Sequence, residues 1–146
     1  MLADRGEHRH QRRQQPRQIV APGGVVRSGD PAQPGGDQSA ARLGRLGEDR
    51  DLDYGVAAAR ACGLNLIAQM KAACDGDLSR VVRVVKLGGF VQAGPDFTAI
   101  PGVINGCSDL MVEVFGDAGR HARSAVGVYK LPLGFAVEVD AIVEIR

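Results

Sequence analysis

Tryptophan is absent, and all six other aromatic residues lie at or beyond Tyr54. A first third without aromatics cannot contribute the large side chains on which a core is usually built. No run of eighteen apolar residues occurs, so no membrane-spanning helix and no membrane partner are expected. The opening residues, MLADRGEHRHQRRQQPRQ, lack an apolar stretch and do not read as a secretory leader. The formal net charge is only +1, which removes any whole-chain bias towards nucleic acid. Cysteine is scarce: Cys62, Cys74 and Cys107 are odd in number and lack CxxC spacing. That argues against a disulfide framework and points to a reducing, cytoplasmic setting. No His or Cys pairs stand at metal-ligand spacing, so zinc is not expected.

What is present divides the chain in two. Residues 28–41 contain no Leu, Ile, Val, Phe or Met. Such a segment buries too little apolar surface to offset its ordering entropy. Residues 1–43 therefore read as an irregular arm, with a short extended piece at Ile19-Val20 or Val25-Val26. The abrupt change of composition has two readings: a divergent arm, or GC-rich DNA translated out of frame. Arginine outnumbers lysine fifteen to three, in keeping with GC-rich coding. The arm's arginines, with His8 and His10, are diluted by Gln, Pro and acids, so nucleic-acid contact is not expected.

Residues 44–146 are patterned as one domain. Val56, Arg60, Leu64, Ile67, Met70 and Cys74 recur at helical spacing, with Asp51 and Asp53 at the end that favours acids. This predicts a helix over 54–74, stopped by Asp75-Gly76-Asp77. The valine-rich run 80–92 predicts a strand buried on both faces, and Gly88-Gly89 inside it suggests a bulge or a close backbone approach. Val103, Cys107, Leu110, Met111 and Val114 form an apolar stripe, predicting a helix over 102–116. Strands follow at 124–129 and 136–145, the second alternating apolar with mostly polar residues. A tight turn at 131–134 would pair the last two as a hairpin. Glu138 would then lie opposite Gly127, roughly 13 Å along the strand from Arg123. The expected fold class is α+β: a mixed sheet with two helices on one face. Three strands leave exposed edges, which further strands or oligomerisation would cover.

The C-terminal two-thirds resembles the RidA/YjgF family, also labelled endoribonuclease L-PSP or chorismate-mutase-like. The residues that carry the resemblance are Ala122-Arg123-Ser124 leading to Val126 and Val128, then Leu131-Pro132, then Val137-Glu138-Val139-Asp140-Ala141-Ile142. It covers about residues 44–146. It implies a chorismate-mutase-like domain that forms a homotrimer with sites between subunits. It also implies cofactor-free hydrolysis of 2-imino acids or their enamines to 2-keto acids and ammonia. In that scheme Arg123 binds the carboxylate of a small metabolite, Glu138 places the attacking water, and Asn105 and Ala125 line the pocket. A guanidinium binding a carboxylate at two points, with one positioned water, suits this chemistry.

The departures lie in the N-terminal hairpin of the family, which is missing or altered. The family's early aromatic has no counterpart before Tyr54, and Ser28-Gly29 is followed by Asp30 where the family has Gln. The alternative to an enzyme is therefore a catalytically inactive trimeric module that binds a small metabolite or a protein. RNA cleavage ranks last, because no His pair or Lys is arranged for it. Blander readings accompany each residue: Arg123 in a surface salt bridge, Glu138 and Asp140 solvated or Asp140 paired with Arg146 or Lys130, and Asn105 as a helix cap. Cys107 reads as core, and His121 as a helix-end or loop residue.

Overall fold

The structure, a computed structural model, describes residues 42–146 and the backbone of residues 17–21. Strand β1 (Arg17–Ala21) is followed by helix α1 (Leu52–Ala73), strand β2 (Val81–Gln92), helix α2 (Ile100–Phe115), strand β3 (Ala122–Val128) and strand β4 (Val137–Ile145). From α1 onward, each element begins and ends within two residues of its expected place. The extended piece expected at Ile19-Val20 is the centre of β1. The readings of residues 1–16 and 22–41, including Val25-Val26, His8, His10 and Ser28-Gly29-Asp30, lie outside the described residues.

Local chemistry sets the helix ends. The Asp51 carboxylate accepts from the Tyr54 amide at 2.9 Å and caps α1. Asp75 and Gly76 take left-handed backbone angles that terminate it. Pro101 sits in the first turn of α2, where its missing N–H costs nothing, and Gly116 at φ +58° ends the helix.

The sheet order is β1-β4-β2-β3. β4 runs antiparallel to both β1 and β2, whereas β2 and β3 are parallel, with α2 as the crossover between them. The expected hairpin therefore does not form. β2 lies between β3 and β4, and Phe90 faces Val126 on one side and Glu138 on the other. The physical reason lies in the connection. Residues 129–136 form no two-residue turn; they cross over the end of β2. The buried Gln92 side chain holds them there, accepting from the Leu131 amide at 2.8 Å and donating to the Gly44 carbonyl at 3.0 Å.

Both helices pack on one face of the sheet. Leu66, Met70, Leu87, Ile104 and Met111 are fully buried there, with Val139 and Val143 of β4. The Gly88-Gly89 pair is a close approach from both sides. A Cβ on Gly89 would stand 2.6 Å from Ile104 of α2, and one on Gly88 would meet the Asp140 carboxylate on the opposite face. That opposite face is open among the described residues, and Val126 on it is 46% exposed.

α1 and α2 touch at Gly106, where a Cβ would lie 2.1 Å from the Val56 carbonyl oxygen. Gly106→Ala gains helix propensity, but it forces the two backbones apart. The expected net outcome is a loss of about 1–3 kcal/mol in chemical denaturation. A variant as stable as the parent would show that the helices do not meet at this point.

Candidate functional site

Arg123 is the second residue of β3, paired with Leu87 of β2. Its side chain turns towards α2. There Asn105 and Ser108, three residues apart and thus neighbours on the helix surface, meet it. Arg123 Nη1 donates to Asn105 Oδ1 at 2.7 Å and to Ser108 Oγ at 3.2 Å. A guanidinium Nη carries two hydrogens, so these two bonds occupy Nη1. Nε and Nη2 have no partner among the described residues, and no carboxylate there forms an ion pair with Arg123. The residue is exposed. The group thus offers the planar, two-donor edge that takes a carboxylate at two points.

His121 completes the cluster. A Cβ on Gly119 would lie 2.1 Å from the Met111 carbonyl oxygen, so glycine lets the short 3₁₀ turn at 116–119 fold tightly against the end of α2. That brings the His121 ring over the helix, with Nδ1 against the Gly119 carbonyl and Nε2 3.0 Å from Ser108 Oγ. A carbonyl can only accept, so Nδ1 carries the hydrogen. In the neutral ring Nε2 then accepts, and the Ser108 hydroxyl donates to it. Ser108 therefore accepts from Arg123 while donating to His121.

Three of the four expected site residues share this side of the sheet. Asn105 bonds Arg123 directly. It is not a helix cap, because α2 begins at Ile100 with Ala99 in the capping position. Ala125 follows Arg123 by one strand period and is half-buried against the core, opposite Gly89. Glu138 does not join them. It alternates with the buried Val137 and Val139 and so lies on the open face. Its register is also three residues from that of Arg123, with β2 between: roughly 10 Å across the sheet and roughly 10 Å along it. Within one chain the two side chains cannot act on one ligand. Asp140 is half-buried over Gly88 and pairs with neither Arg146 nor Lys130; Arg146 instead donates to the Ser79 carbonyl.

Sequence reasoning did not single out Ser108, and it gave His121 no partner. The i, i+3 spacing of Asn105 and Ser108 was a usable signal; their meeting with His121 depends on the tertiary turn.

Cys107 lies fully buried on the neighbouring face of α2. Burial, reinforced by Cys62, pushes its thiol up from 9.0 to about 12, against a smaller downward pull from Arg123. It is core, as expected, and not a nucleophile. Among the described residues no group of three potential metal ligands assembles, and no helix is long and apolar enough to cross a membrane.

The chain as a whole is similar to several known proteins. A family model described as "YjgF/chorismate_mutase-like, putative endoribonuclease" matches residues 18–144. Protein TCP17 of Trypanosoma cruzi is 54% identical over 114 residues, covering 77% of this chain and 71% of that protein. The crystal structure of Atu1372 from Agrobacterium tumefaciens, of unknown function, is 48% identical with a TM-score of 0.73, over 75% of this chain and 71% of that one. A Shewanella oneidensis protein carrying the same endoribonuclease label is 37% identical with a TM-score of 0.71, over 74% and 72%.

The raised Cys107 value has two measurable consequences. At pH 8 the native protein should leave Cys107 unmodified by iodoacetamide, with all three cysteines reacting in denaturant; stoichiometric native labelling of Cys107 would contradict its burial. The thiol's folded value lies above its unfolded one, so its contribution to stability is complete below about pH 9 and is lost as pH rises towards 12.

Proposed function

The chain belongs to the YjgF/chorismate mutase-like family, and on that premise we propose that it hydrolyses reactive 2-imino acids, or their enamines, to 2-keto acids and ammonia. The observation that carries this reading is the edge of Arg123 that has no partner among the described residues. Asn105 and Ser108 hold Nη1, and Nε and Nη2 are left for the substrate carboxylate. Bound there, the substrate presents its imine carbon next to the anchored group. A protonated imine is already electrophilic, so a positioned water and one proton acceptor suffice, without metal or cofactor. Ala125, small and on the same face, leaves room beside the guanidinium.

Glu138 orients the water from a neighbouring copy of the chain. Two features support association of copies, in the number of three that the family resemblance implies. Arg123 and Glu138 lie on opposite faces of one sheet, and the open face carries exposed Val126 together with half-buried Phe90 and Ile142. Such a face is more stable when covered. The buried thiols of Cys62, Cys74 and Cys107 suit a cytoplasmic setting. A non-catalytic member that binds the same class of carboxylate is the second reading, favoured by the absence of any aromatic residue before Tyr54.

Deaminase assay on freshly generated 2-iminopropanoate and 2-iminobutanoate tests the proposal. Arg123→Ala should lower kcat/KM by about 10- to 100-fold, the worth of a charge-assisted bond of about 1.5–3 kcal/mol. Wild-type activity no higher than that of Arg123→Ala would sink the enzymatic reading. Pyruvate binding that depends on Arg123, without turnover, would support the binding module. Sedimentation should give a trimer; a clean monomer would remove the shared site.

A further inference from the structure

We propose that Ser108 and His121 form a proton relay that serves the water attacking a substrate held by Arg123; this rests on the hydrolytic reading above. The relay is built from three contacts. Arg123 Nη1 donates to Ser108 Oγ at 3.2 Å, Ser108 Oγ lies 3.0 Å from His121 Nε2, and His121 Nδ1 is held by the Gly119 carbonyl. The carbonyl fixes the ring tautomer, so Nε2 faces Ser108 as a proton acceptor. A hydroxyl that has a base behind it and faces outward beside a cation is the arrangement by which a side chain accepts a proton while passing its own onward. Ser108 and His121 are each half-buried, so the pair is sheltered yet reachable from the exposed guanidinium.

Among the described residues no other proton acceptor is joined to Arg123. Its remaining partner, Asn105 Oδ1, is an amide oxygen and does not titrate. The Cys107 thiol is buried and held neutral. Glu138 of the same chain is on the other face of the sheet, and that of a neighbouring copy orients the water.

Water oxygen bonds to the protonated imine carbon, and the C=N π pair moves to nitrogen. Ser108 Oγ takes the water's proton as its own passes to His121 Nε2, giving a neutral carbinolamine and a protonated ring. The ring returns the proton through Ser108 to the carbinolamine nitrogen. The C–N bond breaks and ammonia leaves. The hydroxyl oxygen forms the keto C=O and gives its proton to the ammonia. Iminium and water thus become 2-keto acid and ammonium, and Ser108 and His121 are restored. Ser108 contacts the reacting water; His121 acts through it.

The experiment measures kcat and KM with 2-iminopropanoate, and pyruvate affinity by calorimetry, for His121→Gln, Ser108→Ala, Ser108→Thr and Arg123→Ala. Glutamine can still accept a hydrogen bond from Ser108 but does not take up its proton. His121→Gln and Ser108→Ala should lower kcat about 100-fold while KM and pyruvate affinity stay within about twofold. Ser108→Thr, which keeps the hydroxyl, should recover most of the rate. Arg123→Ala should lose pyruvate affinity. If His121→Gln and Ser108→Ala turn over within about threefold of wild type while Arg123→Ala loses kcat/KM about 10- to 100-fold, the relay is wrong and the hydrolytic reading stands. If pyruvate affinity falls in step with kcat in both, the pair merely holds Arg123 in place, and the relay is again overturned. A wild type without turnover overturns both readings. Thermal melting of each variant separates loss of rate from loss of fold, and the two relay positions test the idea independently.

Discussion

Gly88 and Gly89 let strand β2 be approached from both faces at once. Ile104 presses on the helix side and the Asp140 carboxylate on the other, each where a Cβ would stand. β2 is also hydrogen-bonded along both edges, antiparallel to β4 and parallel to β3. A parallel neighbour demands a crossover, and α2 is that crossover. With no side chain at Gly89, Ile104 can seat α2 close to the sheet. Asn105 follows Ile104 directly and Ser108 lies one turn on, so both are delivered to the edge where Arg123 opens β3. The site's geometry is a consequence of how one helix crosses one strand.

The Arg123 cluster has a polarity that its members impose on one another. A guanidinium only donates, and a backbone carbonyl only accepts. With the His121 ring neutral, Ser108 and His121 each accept on one side and donate on the other between Arg123 and Gly119. A hydroxyl can do this next to a cation; an apolar side chain or a carboxamide nitrogen cannot. A carboxylate at position 108 would accept from Arg123 but would also neutralise it, leaving less attraction for an anionic ligand. The neutral partners keep the positive charge available, and burial keeps the adjacent Cys107 thiol neutral, so no thiolate competes for it.

The sequence made the elements legible where their periodicity was strong. The apolar stripe of α2, the alternation of β4 and the stop at Asp75-Gly76 each follow from spacing that one chain reveals by itself. Pairing between strands was less legible. β3 and β4 are consecutive, and Leu131-Pro132-Leu133-Gly134 resembles a turn, so a hairpin was the local reading. What separates them is β2, some forty residues earlier, and parallel pairing leaves no mark within either strand. Gln92, which binds the crossing segment through both ends of its amide, looks in sequence like any strand-end glutamine. Arg123 and Asn105 were legible through resemblance. The partnership of Ser108 and His121 was not, because thirteen residues and a 3₁₀ turn lie between them. Ile19-Val20 was the reverse case, a β-branched pair readable as extended despite its unpatterned surroundings.

The separation of Arg123 and Glu138 onto opposite faces bears on how such a site can exist at all. A cation and a carboxylate close together in one folded chain tend to pair, and a paired Arg has no edge left for a ligand. Here the sheet itself keeps them apart: alternation along β4 turns Glu138 to the open face, while Arg123 turns to α2. Neither can reach the other by changing rotamer. If copies associate through the open face, Glu138 reaches the neighbourhood of a guanidinium only in the assembly, when that guanidinium is already fixed by Asn105 and Ser108. Its Nη1 is then already occupied, and the Nε–Nη2 edge is what remains for a carboxylate. In such an assembly Arg123, already fixed by Asn105 and Ser108 of its own chain, would meet the incoming acid.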